Sequence, residues 1–109
     1  MGIMEIKKVM KHWGYELWIA DGVRTPYASK RILFKQDNRT SLQVHEQKFE
    51  TNYVLSGTGF LYRSKEPLDI AKFLETGMTS KQVEEYEATF DVIELKEGVV
   101  FDVSPGYVH

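Results

Sequence analysis

The sequence predicts an all-β protein, a barrel or sandwich with one short helical insertion. Three observations carry this prediction. Apolar residues recur at every second position in several segments, clusters of Gly, Pro, Asp and Asn separate those segments, and a helical period occurs in only one region. Because alternation of this kind is typical of strands with one buried face, we expect short strands joined by turns and not alternating βα units.

The first third of the chain supplies three predicted strands. A short strand is expected from Ile3 to Met10. The segment HWGYELWIA then repeats large apolar residues at every second position, which predicts a half-buried strand. A third strand is expected in YASKRILF, and either alternate set of its residues can face inward. If Ile32 and Phe34 do so, Lys30 shares their face and needs an anion or a pocket mouth, so it is a candidate for substrate contact.

Turn and cap signals organise the rest of the chain. The glycines in Ser56–Gly59 predict a tight hairpin turn. Pro67 suits the first position of a helix that Gly77 can end. Thr79 with Gln82 matches a capping box at the start of a second short helix. The alternating segments TFDVIEL and VVFDV predict two further strands after this excursion.

The segment SLQVHEQKFETNYVLSGTG carries several side chains that can bind a metal. On a strand, residues two apart share a face, so His45 and Gln47 are expected to point together, with Gln43 in line and Glu50 just beyond. If Glu50 faces the interior, Asn52 shares that face. The chain has no cysteine, so any metal site must use nitrogen and oxygen ligands.

Composition restricts the classes of partner. At 109 residues, the chain has the length of one domain. A net charge of −2, with 14 Lys and Arg scattered among 16 Asp and Glu, predicts that nucleic acid is not a partner. No apolar run approaches the roughly 18 residues of a membrane span, and the first residues lack the features of a secretory signal. These observations predict a cytoplasmic protein without a membrane partner.

Two groups of residues resemble the two sequence motifs of the cupin superfamily. The first group is His45, Gln47, Glu50 and Gly57, with Gln47 where most members have a second histidine. The second group is Gly98, Pro105, Gly106 and His109. The segments HWGYELW, KRILF and SLQVHEQKFETNYVLSG also resemble, in order and spacing, the mannose-6-phosphate isomerase-like cupins, which include the type II phosphomannose isomerase domain.

This resemblance implies a single cupin domain over residues 1–109, folded as a jelly-roll barrel, or double-stranded β-helix. Family members continue for one or two further strands after the last motif histidine. The chain is therefore expected to be C-terminally truncated, lacking its last one or two strands, or to be an unusually short member whose open edge is covered by a partner chain. Cupin barrels commonly pair through their sheets, so a homodimer is also expected.

The resemblance also implies a divalent metal, which can be zinc, manganese, iron or nickel, at the mouth of the barrel. The implied ligands are His45, Gln47, Glu50 and His109. Gln47 has two open interpretations, as a ligand or as a neighbour that hydrogen-bonds a substrate hydroxyl. Lys30, Gln43 and Asn52 are the candidate substrate-binding residues.

The activity implied by the nearest subgroup is aldose–ketose isomerisation of a sugar phosphate. Such a reaction needs a Lewis acid beside the carbonyl oxygen and a base at the neighbouring carbon, and the sequence does not identify the base. Two alternatives use the same scaffold: a non-catalytic cupin that binds a sugar or nucleotide-sugar, and a metal-dependent oxygenase. A shared fold does not choose among the three.

Overall fold

The computed structural model describes residues 2–109 and is mostly β, with seven strands and two short helices. The strands are β1 (Lys7–Lys11), β2 (Gly14–Asp21), β3 (Ala28–Phe34), β4 (Glu50–Tyr53), β5 (Thr58–Arg63), β6 (Asp91–Lys96) and β7 (Val100–Val103). The helices, α1 (Ile70–Thr76) and α2 (Ser80–Glu87), lie between β5 and β6. The prediction of a mostly β chain with one helical insertion is confirmed. Over the described residues the strands form three separate sheets and no closed barrel.

The chain divides into two compact units, one ending at Ser41 and one running from Leu42 to His109. The first unit is an antiparallel sheet in the order β1-β2-β3. Strand β1 begins four residues later than predicted, because its pairing with β2 starts at Lys7. All seven residues of β3 are exposed, so neither of its alternate residue sets is buried.

Trp13 anchors the first unit. Its side chain is buried and stacks on Phe34, with 4.5 Å between the ring centroids. The neighbouring Gly14 has a φ of 153°, and a Cβ atom there would lie 1.8 Å from the carbonyl oxygen of Leu33. Because no side chain fits in that space, only glycine allows β2 and β3 to approach so closely beside the tryptophan.

The second unit contains two antiparallel ribbons, β4–β7 and β5–β6. The predicted hairpin at Ser56–Gly59 is therefore wrong: β4 and β5 follow each other in sequence but pair with different, distant strands. Gly57 does adopt a positive φ of 85°, so the chain turns there without closing a ladder. Side chains on β4 alternate between half-buried Glu50 and Asn52 and exposed Thr51 and Tyr53. Glu50 and Asn52 thus share the inward face.

The helical insertion is held by local caps. Helix α1 begins at Ile70, capped by the Asp69 carboxylate, and not at Pro67 as predicted, because Asp69 can accept a hydrogen bond from the first helical turn. The predicted C-cap at Gly77 and the capping box between Thr79 and Gln82 are confirmed. No helix within residues 2–109 has the length and apolar character needed to cross a membrane.

Candidate metal centre

The segment that carries His45 is not a strand. Residues 41–49 were predicted to be extended on a strand, but the first strand residue in this region is Glu50. Isolated backbone hydrogen bonds hold the segment to the C-terminal residues. Gln43 and His109 exchange N–H···O bonds of 2.7 and 2.9 Å, and the Gly106 N–H donates to the His45 carbonyl at 2.7 Å. The strand prediction is wrong because these bonds are too scattered to form a continuous ladder. They nevertheless bring His45 and His109 close to each other.

Ser64 holds the C-terminal segment from its other side. This side chain is 2% exposed. Its hydroxyl accepts the Val108 N–H at 3.0 Å and donates to the Glu66 carbonyl at 2.9 Å. The Ser64 N–H also donates to the Val108 carbonyl at 2.8 Å. Residues 106–109 are therefore fixed between two neighbouring segments, which positions the His109 ring.

His45, Glu50 and His109 converge, with their candidate ligand atoms all within 4.8 Å of one another. Nε2 of His45 lies 3.3 Å from one Glu50 carboxylate oxygen, and Nε2 of His109 lies 3.8 Å from the other. The two imidazole centroids are 5.6 Å apart. All three residues are half-buried.

These separations suit a shared metal ion. Two donors bound to one zinc ion at about 2.0–2.1 Å are about 2.8–3.4 Å apart for angles between 90° and 109°. The two His–Glu separations of 3.3 and 3.8 Å lie at or near this range. The upper limit of 4.8 Å on the distances between the ligand atoms is about 1.4 Å beyond it. Small side-chain rotations are therefore enough to place all three donors around one ion.

The protonation states of two donors favour a cation. Partial burial lowers the pKa of His45, and the positive charge of Lys48 lowers it further, against the opposing effect of Glu50. The imidazole is therefore neutral at pH 7, as a metal ligand must be. Burial on its own raises the pKa of Glu50, but Lys48, which lies 3.0 Å away, and both histidines outweigh it, so the net pKa is lowered. The carboxylate is ionised.

Nε2 of His45 is the least satisfied polar atom of the group. It is buried and has no partner in hydrogen-bonding geometry, since the 3.3 Å contact with Glu50 lacks that geometry. Its closest charged neighbour is the Glu50 carboxylate, and a neutral imidazole nitrogen gains little from a carboxylate without a well-formed hydrogen bond. A metal ion between the nitrogen and the carboxylate would engage both, so the donor set fits a divalent cation.

The other predicted site residues lie in different surroundings. Gln47 is exposed in the bend that connects His45 to Glu50, and its role as a fourth ligand stays a prediction. Gln43 is also exposed, and its backbone pairs with His109. Its predicted contact with substrate is likewise untested.

Lys30 lies on β3, in the first unit, and already has partners there. Its ammonium is 3.6 Å from the Glu16 carboxylate and 4.5 Å from the centre of the Trp18 ring. Because β3 is exposed along its whole length, the condition under which Lys30 would need an anion is not met, and its charge is paired with Glu16 on β2. A role in substrate binding stays a prediction for Lys30.

Asn52, the third predicted substrate residue, lies on β4 two residues beyond Glu50 and on the same inward face. Its side-chain nitrogen is buried and has no hydrogen-bond partner. The prediction that Asn52 shares the face of Glu50 is confirmed. Nothing in the sequence indicated Ser64, because a serine after a strand is ordinarily a surface residue.

No protein-family model, curated protein or solved structure matches this chain significantly. The resemblance to cupins therefore rests on the motif residues, and the site is interpreted from its own geometry.

Proposed function

We propose that this chain binds a divalent metal ion through His45, Glu50 and His109, as a cupin-type jelly-roll module. The observation that carries the proposal is the buried Nε2 of His45, which makes no hydrogen bond and lies 3.3 Å from an ionised carboxylate in the same cluster as a second imidazole. Two imidazoles and one carboxylate are a donor set that zinc, manganese and iron all accept.

The proposed activity is aldose–ketose isomerisation of a sugar phosphate, the reaction implied by the resemblance. A metal ion bound here supplies a Lewis acid that polarises a substrate carbonyl. Three protein ligands leave coordination positions open to a substrate. The chain's own contribution is to hold His45 neutral and Glu50 ionised, and to keep the donors half-buried, where electrostatic interactions are stronger than in bulk water.

Metal binding is tested first, by isothermal titration of the metal-free protein with Zn²⁺ and Mn²⁺. Substituting His45→Ala, Glu50→Gln or His109→Ala is expected to weaken zinc binding by at least about tenfold, because each change removes one of three donors. His12→Ala is the matched control, since His12 is exposed and lies in the first unit. Equal affinities for the wild-type protein and the three site variants would refute the assignment.

Isomerase activity is tested by incubating the metal-loaded protein with mannose 6-phosphate and fructose 6-phosphate in D₂O. Proton abstraction next to the carbonyl exchanges deuterium into the sugar, which NMR detects without a coupled assay. Exchange is expected with the wild-type protein and not with Glu50→Gln. A metal-loaded wild-type protein that exchanges no deuterium into either sugar would exclude this reaction for both substrates.

A second candidate is a metal-dependent oxygenase, favoured by the donor set itself. Two histidines and one carboxylate with open positions are the ligands of many non-haem ferrous oxygenases. Stoichiometric iron in the purified protein, together with oxygen consumption that depends on a small-molecule substrate, would favour this activity over the isomerase.

The proposed assembly is a homodimer. Strand β3 lies at the edge of its sheet, within the described residues. Its side chains Ile32, Leu33 and Phe34 are each more than 40% exposed. Apolar side chains grouped at a sheet edge are suited to pairing with a second chain. Size-exclusion chromatography with light scattering is expected to give twice the 12.7 kDa mass of the chain, and a monomer would contradict the proposal.

A further inference from the structure

The inward face of β4 presents a second unsatisfied polar group beside the three proposed ligands. The Nδ2 atom of Asn52 is buried and has no hydrogen-bond partner. Asn52 and Glu50 are both half-buried, while their neighbours Thr51 and Tyr53 are exposed. The alternation places the Asn52 amide on the face that carries the Glu50 carboxylate, with about 7 Å between their Cα atoms.

The strand that pairs with β4 does not supply an acceptor opposite Asn52. Its cross-strand neighbour in the β4–β7 ladder is Phe101, whose ring accepts no conventional hydrogen bond. The ladder pairs the backbones of the two strands from Glu50 to Tyr53, so their polar groups are largely engaged. An unpaired buried amide is unfavourable, and a purely structural position would be better filled by an apolar residue.

We propose that the Asn52 amide donates a hydrogen bond to an oxygen of the small molecule that binds beside the metal, which makes Asn52 a specificity-determining residue. This inference rests on the proposed metal site at His45, Glu50 and His109. It deepens the proposal by naming the ligand class: compounds that approach the metal through one oxygen and present a second acceptor oxygen toward β4. Hydroxy acids and hydroxy-carbonyl compounds have this pair of oxygens on adjacent carbons.

The arrangement also predicts which molecules the site disfavours. A ligand that reaches the metal but offers a donor, or only carbon, toward β4 leaves the Asn52 amide unsatisfied. Sites built to hydrogen-bond a ligand reject analogues that lack the matching group, because the buried polar atom then stays unpaired. Imidazole is such an analogue: when one ring nitrogen binds a metal, the other is a donor.

The experiment uses the zinc-loaded full chain and glycolate as the probe, with binding followed by NMR. Asn52→Leu is expected to weaken glycolate binding about tenfold, the effect of losing one hydrogen bond to a charged oxygen. The affinity of the same variant for zinc and for imidazole is expected to stay within about twofold of wild type. Thr51→Val is the matched control, since Thr51 lies on the outward face of the same strand.

A direct measurement on the wild-type protein does not depend on any variant folding. The Asn52 side-chain amide resonances are expected to shift on addition of glycolate and not on addition of imidazole. Asn52 amide resonances that do not shift on addition of glycolate would overturn the inference. So would an unchanged glycolate affinity in a folded Asn52→Leu variant. Neither result would affect the proposal that the protein binds zinc. Failure of the wild-type protein to bind zinc would instead overturn the proposed metal function.

Discussion

The hydroxyl of Ser64 is the side chain whose removal gives the most specific test of how the site is built. Substituting Ser64→Ala deletes the acceptor of the Val108 N–H and the donor to the Glu66 carbonyl. The backbone bond from the Ser64 N–H to the Val108 carbonyl does not involve the hydroxyl and can persist. The substitution thus loosens the C-terminal segment without deleting it.

The cost of Ser64→Ala follows from the burial of each partner. Val108 is 6% exposed, so its N–H is left without an acceptor, which costs about 1–3 kcal/mol. Glu66 is exposed, so water replaces the lost donor at little cost. The free energy of unfolding should therefore fall by about 2 kcal/mol. For 109 residues this corresponds to a drop of about 8 °C in Tm, at about 4 °C per kcal/mol.

Urea unfolding of the metal-free protein measures the loss of stability, and zinc titration measures its effect on the site. Zinc affinity should fall together with stability, because Val108 precedes the proposed ligand His109. Thr51→Val is the control, since it removes an exposed hydroxyl bonded to Asp102 and should change the free energy of unfolding by less than about 0.5 kcal/mol. If Ser64→Ala were as stable as this control, Ser64 would not anchor the segment.

Three further predictions concern other parts of the molecule. Since burial lowers the pKa of His45, and since Lys48 and the histidines lower that of Glu50 despite its burial, the unfolded metal-free chain binds more protons than the folded one. The free energy of unfolding should fall as the pH drops below about 6.5, where His45 becomes protonated in the unfolded chain, and this fall should be absent in His45→Gln. A second fall is expected below about 4.5, where Glu50 becomes protonated in the unfolded chain. Lys48→Met should tighten zinc binding up to about fivefold in calorimetry, because Lys48 competes for Glu50 at 3.0 Å; weaker binding would contradict this. Gly14→Ala should destabilise the chain by at least about 2 kcal/mol in urea, given its positive φ and the nearby Leu33 carbonyl, and a neutral effect would show that β2 and β3 can separate.

Local signals predicted local structure well. The capping box at Thr79 and Gln82 and the C-cap at Gly77 depend only on residues within a few positions, and both are present. The alternation of half-buried Glu50 and Asn52 on β4 follows from strand geometry alone. The separate ribbons could not be predicted in this way, because a turn glycine such as Gly57 fits both a hairpin and a simple change of direction.

The metal cluster combines local and non-local placement. His45 and Glu50 are five residues apart, and their sequence spacing predicted that they are near each other. His109 joins them only because isolated backbone bonds align residues 43–45 with residues 106–109. Hydrophobic periodicity does not predict that pairing. The resemblance to the two cupin motifs predicted that His109 lies near His45 and Glu50. The buried hydroxyl of Ser64, which supports it, has no signal in the sequence at all.

Metal affinity and stability should be coupled in this chain because the same contacts serve both. His45 and His109 lie on segments outside the strands, held by backbone bonds and by Ser64, so their donor atoms are less firmly placed than those on β4. A metal ion that joins both segments to Glu50 adds a cross-link between them. At 100 times its dissociation constant such an ion stabilises the fold by about 2.7 kcal/mol, which is close to the cost expected for Ser64→Ala. Zinc at that excess should therefore restore the stability that Ser64→Ala loses. At 100 times the wild-type dissociation constant, His109→Ala, whose affinity is expected to be at least tenfold weaker, should gain no more than about 1.4 kcal/mol.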